Sequence, residues 1–381
     1  MKTKKNVFVF GVLSPVGGNV TYCKEITHQL VREKFNVFLF VFGANTTGIN
    51  PTVTIIHLGN EERLRTIIKN TFEVYVAIKS LLAKGIYPDI VITDLYRIST
   101  YFLLSKIFLS FPTPFQHIFQ FHGSDTLERN FQGTSLKILS ALERIKLYFE
   151  GKIVQRAHKV ICFSKYAKSI AITHLRVKNE QLYLTNPGPG EIYISKDTRK
   201  SARKKLGLGT VKKIILLIGR IEDRKGFPLF LSLLAKNDKK LSNVLFIFAT
   251  DLKNQNFQYL SLPSSPNILI KHRPTVEEKT LLYKAADLTV LPSLGLETFG
   301  FVTLESLLCG TPVVAYDIGA NSELIEKRFL ADIKNPTSIL DIIEKFFYRK
   351  KELQDLCLIE GKKLQKEYDW KLYLDAINIY K

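Results

Sequence analysis

Residues 291–315 read Leu-Pro-Ser-Leu-Gly-Leu-Glu-Thr-Phe-Gly-Phe-Val-Thr-Leu-Glu-Ser-Leu-Leu-Cys-Gly-Thr-Pro-Val-Val-Ala, and this stretch predicts strand, loop, helix, strand. The apolar run Leu288 to Leu291 is stopped by Pro292 and Ser293, and the short loop that follows carries Gly295 and Gly300. Val302, Leu304, Leu307 and Leu308 recur at helical spacing until Gly310, after which Pro312 to Ala315 restarts an apolar strand. Glu297 lies in the loop and Glu305 two turns into the helix, so both carboxylates can look along one side of its N-terminus. Backbone N–H groups from Phe299 and Gly300 onward, at the positive pole of the helix dipole, suit a phosphate, while the carboxylates suit sugar hydroxyls. The pattern fits a ligand that is part phosphate and part sugar. Taken singly, Glu305 also reads as a solvated helix residue and Glu297 as a loop charge.

Taken with its flanks, the string Pro-Ser-x3-Glu-x-Phe-Gly-x4-Glu followed by Cys-Gly-Thr-Pro-Val-Val-Ala resembles the signature of glycosyltransferase family four. The resemblance implies a retaining, nucleotide-sugar-dependent glycosyltransferase of the group 1 type. It also implies the GT-B fold, an α/β architecture of two Rossmann-like, doubly wound parallel-sheet domains facing an interdomain cleft. The likeness is specific from Lys213 to Glu323 and looser but collinear elsewhere.

Length and composition agree with two domains. A chain of 381 residues with 46% hydrophobic and 24% charged side chains reads as globular, with room for two cores. The formal charge of +20 attracts polyanions: nucleic acid, an anionic membrane surface or phosphorylated substrates. Residues 1–189 hold 24 Lys/Arg against 12 Asp/Glu, a net of +12, and the remainder a net of +8. No zinc-finger spacing, RNP-like string or basic-leucine pattern accompanies that charge, which argues against nucleic acid. Cys23, Cys162, Cys309 and Cys357 stand far apart without a Cys-x-x-Cys pair and read as buried thiols in a reducing compartment. The start, with Lys2 to Lys5 before Val7 to Leu13, is too short in its apolar part for a signal peptide and reads as a first strand. No window reaches 18 apolar residues without a charge or proline, so no membrane span is expected. A cytoplasmic location, peripheral on the inner face of the membrane, is the expectation.

In chain order the first half alternates strands at 6–11, 37–42, 53–57, 90–93 and 116–121 with helices at 20–33, 61–84 and 98–109, as a parallel sheet covered on both faces requires. Gly17 and Gly18 follow the first strand, as a tight turn or as a close backbone approach to a donor. His122 stands at the carboxyl end of a strand; by resemblance it faces the transferred sugar. A long helix is expected over 134–159, with Ile138, Leu142, Ile145, Phe149 and Ile153 near one face and basic residues around it. That pattern describes an ordinary core-facing helix with a solvated side, or a basic surface resting on anionic lipid, and the two are compatible. Two prolines and two glycines within residues 186–191 mark a linker. The expected domains are 1–187 on the acceptor side, 188–364 for the nucleotide sugar, and a helix at 365–381 crossing back to the first.

In the second half, the strand Lys213 to Ile218 ends in Gly219-Arg220-Ile221-Glu222-Asp223-Arg224-Lys225-Gly226. Two cations five apart in a strand-to-helix loop can converge on one diphosphate, or can be a solvated basic loop. Gly-Arg-x4-Lys-Gly is similar to the family's diphosphate clamp, which assigns Arg220 and Lys225 to the leaving group. By the same resemblance Glu305 accepts from ribose hydroxyls, and Glu297 with Thr298, Phe299 and Gly300 holds the sugar. The segment Lys271-His272-Arg273-Pro274-Thr275 stands where the family has a glycine-containing turn beside the nucleobase, and departs from it. No Asp-x-Asp string or His/Cys cluster is present, so no metal or other cofactor is expected, the nucleotide sugar being a co-substrate. The partners expected are that donor, a glycan or lipid-linked acceptor of envelope polysaccharide or glycoconjugate assembly, and an anionic membrane surface. The competing reading is a non-catalytic GT-B subunit that binds a glycosyltransferase or glycan; a sugar phosphorylase would be expected to need a pyridoxal lysine on a far longer chain, and nucleotide-sugar epimerases lack the Gly-Arg-x4-Lys-Gly string.

Overall fold

The computed structural model describes residues 4–13, 18–43, 46, 48–59, 66–132, 135–188, 197–209, 211, 213–236, 241, 243–250 and 267–376. Two compact units divide the chain: residues 1–126, 139–186 and 370–381 form one, and residues 127–138 and 187–369 the other. The last segment of the chain therefore belongs to the first unit from Trp370 onward, and a short excursion at 127–138 belongs to the second.

The first unit contains β1 (Asn6–Val12), α1 (Gly18–Arg32), β2 (Asn36–Phe42), β3 (Thr54–Gly59), α2 (Ile67–Ala83), β4 (Ile90–Thr93), α3 (Tyr96–Ile107) and β5 (Gln116–Phe121). The chain crosses into the second unit within α4 (Asp125–Asn130), makes the antiparallel ribbon β6 (Phe131–Gln132) and β7 (Ser135–Leu136), and returns in α5 (Ala141–Gln155). β8 (Lys159–Cys162), α6 (Lys165–Thr173) and β9 (Leu182–Leu184) complete the unit. Its seven strands are parallel in the order β3-β2-β1-β4-β5-β8-β9. Strands such as Val37–Phe42 and Ile90–Thr93 are apolar without alternation because helices cover both faces of the sheet. On one face Phe8, Phe10, Phe38, Phe40, Phe42 and Phe102 form the centre of the core, and Phe10 stacks on Phe40 at 4.4 Å.

The second unit runs α7 (Arg199–Lys205), β10 (Lys213–Ile218), α8 (Phe227–Lys236), β11 (Val244–Thr250), β12 (Ile268–His272), α9 (Val276–Ala285), β13 (Leu288–Leu291), α10 (Phe301–Leu308), β14 (Val313–Tyr316), α11 (Asn321–Leu324), β15 (Leu330–Ala331), α12 (Ser338–Tyr348) and α13 (Lys350–Glu367). Its parallel sheet has the order β12-β11-β10-β13-β14-β15. In both sheets the winding reverses beside the first strand, between β1 and β4 and between β10 and β13. Such a reversal opens a crevice at the carboxyl ends of the two diverging strands.

α14 (Trp370–Ala376) closes the first unit. Gln120 Nε2 donates to Tyr22 Oη at 2.7 Å and to Tyr373 Oη at 2.6 Å, and Tyr22 Oη donates to Tyr373 Oη at 2.7 Å. Trp370 and Phe163 pack against Tyr22. All four cysteines are buried free thiols, as their apolar settings lead one to expect.

One expected helix is redrawn. The helix predicted over 134–159 starts only at Ala141, because Phe131–Gln132 pairs with Ser135–Leu136 as a ribbon and Ser140 caps the helix in a capping box with Glu143. Its stripe of Leu142, Ile145 and Phe149 points away from the core, since Glu150, Gly151 and Val154 occupy the inner side. The start of the helix expected at 61 lies outside the described residues up to 65.

The second unit is pinned by a fully buried carboxylate. Asp287 accepts from Arg203 Nη2 at 2.9 Å and from the Ile214 backbone N–H at 2.8 Å, and pairs with Lys350 Nζ at 2.8 Å, so one side chain ties α7, β10 and α13 to the start of β13. Removing one member of a buried ion-pair network leaves its partners uncompensated. Asp287→Ala is expected to cost about 3 kcal/mol in chemical denaturation, whereas the exposed pair Arg349–Glu352 should cost less than about 1 kcal/mol when broken.

Candidate functional site

At the carboxyl end of β10 the backbone turns on Gly219, runs through Arg220 to Glu222, makes one 3-10 turn at Asp223–Lys225 and enters α8 through Gly226. Gly226 is left-handed (φ 67°), and a Cβ there would lie 1.8 Å from the carbonyl oxygen of Pro292. No other residue permits the loop after β10 to press this closely on the loop after β13. The two loops are stitched together on either side of the contact. Leu294 N–H donates to Arg224 O at 2.7 Å, and Arg224 Nη1 donates to Leu296 O at 3.1 Å.

That stitching brings Lys225 Nζ to 2.5 Å from Glu297 Oε1. Burial by itself would raise the Glu297 carboxyl, but the charges of Lys225 and Arg224, with hydrogen bonds from Lys225 and Ser293, outweigh it and hold the group below the ordinary 4.5. The Glu297 backbone is fixed as well. Its carbonyl accepts from Ala320 N–H at 2.8 Å, and a Cβ on left-handed Gly319 would fall 2.3 Å from the same oxygen. Loops after β10, β13 and β14 thus meet at Glu297.

Arg220 is half-exposed and pairs with Glu222 at 2.9 Å, not with Glu297. Thr298 and Phe299 are buried, and Gly300 (φ 91°) is the N-cap of α10 with no side-chain cap. Glu305 sits in the second turn of α10, buried, where Tyr283 Oη donates to its Oε2 at 2.8 Å. The two glutamates are therefore held by different neighbours, Glu297 by Lys225 and Glu305 by α9. A fully solvated helix residue is not what Glu305 is.

His122 lies in the first unit, half-buried among Tyr22 at 5.0 Å and Phe163 at 5.2 Å between ring centres. Burial lowers its imidazole to about 3, so it is neutral at physiological pH. Gly18 opens α1, and Gly17 lies outside the described residues. In the segment 271–275 the backbone is left-handed at Arg273 (φ 44°), whose N–H donates to Thr250 O at 2.7 Å. Among the described residues no three His, Cys, Asp or Glu side chains converge as a metal site requires.

Sequence reasoning missed Arg224, which joins Glu128 (3.4 Å), Glu222 (3.7 Å) and Leu296 O while its neighbour Lys225 reaches Glu297. It also missed Ser293, Tyr283 and Gly319. The partner of Tyr283, on α10, is not readable from any short window of the sequence.

Two doubly wound parallel sheets with charged side chains gathered at one switch point define a glycosyltransferase of GT-B fold. Residues 16–188 match Glycosyltransferase Family 4 and residues 198–362 match Glycosyl transferases group 1, and the chain belongs to this family. It is 27% identical over 208 residues to D-inositol 3-phosphate glycosyltransferase of Paenarthrobacter aurescens, covering 52% of this chain and 51% of that protein. The chain thus spans about half the length of the curated relatives it matches. Among solved structures, sucrose-phosphate synthase from Thermosynechococcus elongatus superposes with a TM-score of 0.80 at 17% identity, over 99% of this chain and 98% of that one. Anabaena HepE in complex with UDP and glucose gives 0.73 at 16% identity, over 99% of each.

Two outcomes follow from this geometry. Gly226→Ala should cost more than about 2 kcal/mol by thermal or chemical denaturation, from the left-handed backbone and the overlap with Pro292 together. Because the Glu297 carboxyl is depressed, its contribution to stability is present above the ordinary carboxylate range and is lost as pH falls through its lowered value. The stability difference between wild type and Glu297→Gln should accordingly be constant above about pH 5 and shrink below about pH 4 in pH-dependent denaturation.

Proposed function

We propose that this chain is a retaining glycosyltransferase that moves a sugar from a nucleoside-diphosphate sugar to a glycan or lipid-linked acceptor in cell-envelope polysaccharide or glycoconjugate assembly. The observation that carries this reading is the convergence of Lys225 and Glu297 at the switch point of the second sheet, with Arg220 on the same loop. Lys225 and Arg220 neutralise the charge that grows on the departing diphosphate, which favours the transition state over the ground state. No metal is assigned to that task. Glu297 positions Lys225 and accepts from a hydroxyl of the transferred sugar, with the Thr298 to Gly300 backbone beside it. Glu305, oriented by Tyr283, accepts from the ribose.

His122 is given a hydrogen-bonding role toward the sugar, with its imidazole held neutral by burial. The acceptor's proton passes to the leaving phosphate, so no enzymic base is named. The complex of Anabaena HepE with UDP-glucose supports a nucleotide-sugar donor. The excess of positive charge in residues 1–189 supports a cytoplasmic protein acting peripherally at an anionic membrane, where a lipid-linked acceptor resides.

A charge-assisted hydrogen bond contributes about 1.5–3 kcal/mol, so Lys225→Ala and Arg220→Ala should each lower kcat/KM from tenfold to over a hundredfold. Arg220→Ala should leave the melting temperature unchanged, because the side chain is half-exposed and paired only with Glu222 among its described ion pairs. The check is donor hydrolysis and transfer assayed with UDP-, GDP-, ADP- and TDP-sugars in the presence of EDTA. Full activity in both variants would overturn the assignment.

A further inference from the structure

α5 is turned inside out. Its inner side carries Glu150, Gly151 and Val154, while Leu142 (76% exposed), Ile145 (54%), Tyr148 (58%) and Phe149 (59%) face outward. The orientation is locked by the buried side. Glu150 Oε1 accepts from Thr126 Oγ1 at 2.8 Å and from Thr126 N–H at 3.2 Å, and Ser124 Oγ donates to Oε2. A Cβ on Gly151 would lie 2.8 Å from Leu175 O, so the helix rests directly on backbone there. The apolar stripe therefore cannot be turned to the core, and four contiguous large apolar side chains on one helix mark an interaction surface.

The charges beside the stripe say what covers it. By helical spacing Arg144 lies along one edge and Lys146 along the other, while Lys152 follows the stripe one turn after Tyr148, its Nζ 5.3 Å from the centre of the Tyr148 ring. α3 packs against both α2 and α5. On these three helices every exposed charged side chain is a cation: Lys69, Lys79, Lys106, Arg144, Lys146 and Lys152. Their acids, Glu73, Glu143 and Glu150, are half-buried or buried. α2 adds the outward side chain of Phe72, and the end of α3 adds Ile107 and the following Phe108. A surface of one sign repels its own copy, which favours an anionic partner over a second molecule of this chain.

We infer that the outer face of α5, with the neighbouring faces of α2 and α3, is a membrane-docking surface: Leu142, Ile145 and Phe149 enter the acyl boundary of an anionic bilayer and Lys146 and Lys152 engage its headgroups. An amphipathic helix lying in the interface combines these two contributions, apolar burial and attraction to anionic lipid. Tyr148 supplies a ring with a polar tip at headgroup level. This gives the peripheral location proposed above a defined surface, and it stands separately from the transfer chemistry.

The test is co-sedimentation of the full chain with vesicles of phosphatidylglycerol and phosphatidylcholine in equal parts, against phosphatidylcholine alone, at low and at raised salt. Wild type should bind the anionic vesicles and release with salt. Ile145→Glu/Phe149→Glu and Lys146→Glu/Lys152→Glu should each weaken that binding by about tenfold or more. Both should keep the wild-type melting temperature and donor hydrolysis, since all four positions are exposed and remote in sequence from the donor loops. Wild type remaining in the supernatant with anionic vesicles, or both double variants binding as wild type does, would overturn the inference. So would a dimer, seen by light scattering, that Ile145→Glu/Phe149→Glu dissolves, because it would assign the face to a second copy. Failure of the transferase reading would show differently, as vesicle binding intact but no hydrolysis of any nucleotide sugar.

Discussion

The Lys225–Glu297 ion pair holds together the loops at the switch point of the second sheet. Its members lie 72 residues apart, on loops that follow β10 and β13, and they meet only because those two strands are neighbours at the reversal of the sheet. The approach is set by backbone. Gly226 lets one loop touch the Pro292 carbonyl of the other, and Gly319 lets a third loop close on Glu297. A mostly buried carboxylate is costly unless it is paired, and the pairing is what keeps Glu297 ionised in this setting. In the free protein the pair stores a preorganised cation and a preorganised acceptor in one place. In the function proposed above, stabilisation of a departing diphosphate would draw on that preorganisation, because little reorientation would remain to be done as charge develops.

The two units use the same topology to different ends. At the second sheet the carboxyl edge gathers Arg220, Arg224, Lys225 and Glu297. At the first, Tyr22, Gln120 and Tyr373 form a closed hydrogen-bonded triad, and His122 lies against Tyr22 and Phe163 as a neutral ring. Burial raises the phenol of Tyr22 well above its ordinary value, and that of Tyr373 likewise, so this cluster carries no charge near neutral pH. Its source is the end of the chain: α14 places Trp370 and Tyr373 there.

α5 shows how far periodicity reads a helix and where it stops. The i, i+3, i+7 spacing of Leu142, Ile145 and Phe149 does describe one face, and the helix exists. Spacing is silent on which way that face points. Here a carboxylate, a glycine and a valine on the opposite side decide it, through Ser124, Thr126 and the backbone of Leu175, none of which a helical wheel contains. The pairing of β6 with β7 was also unseen, although the Ser140-x-x-Glu143 capping box stood in the sequence as a start signal.

Local chemistry in the chain determined the alternation of elements, the resemblance carried by residues 291–315, and the candidates Arg220, Lys225, Glu297 and Glu305. These follow from propensity, patterning and motif spacing, which are properties of short windows. Tertiary structure alone decided which candidates meet. It joined Lys225 to Glu297 and left Arg220 with Glu222, gave Glu305 to Tyr283, and brought Arg224 into the loop contact. It also carried the end of the chain back to the first unit and turned the apolar face of α5 outward. The reason is physical: strand order, side-chain burial and the partner of a charge are fixed by packing between segments distant in sequence, and no window along the chain contains both sides of such a contact.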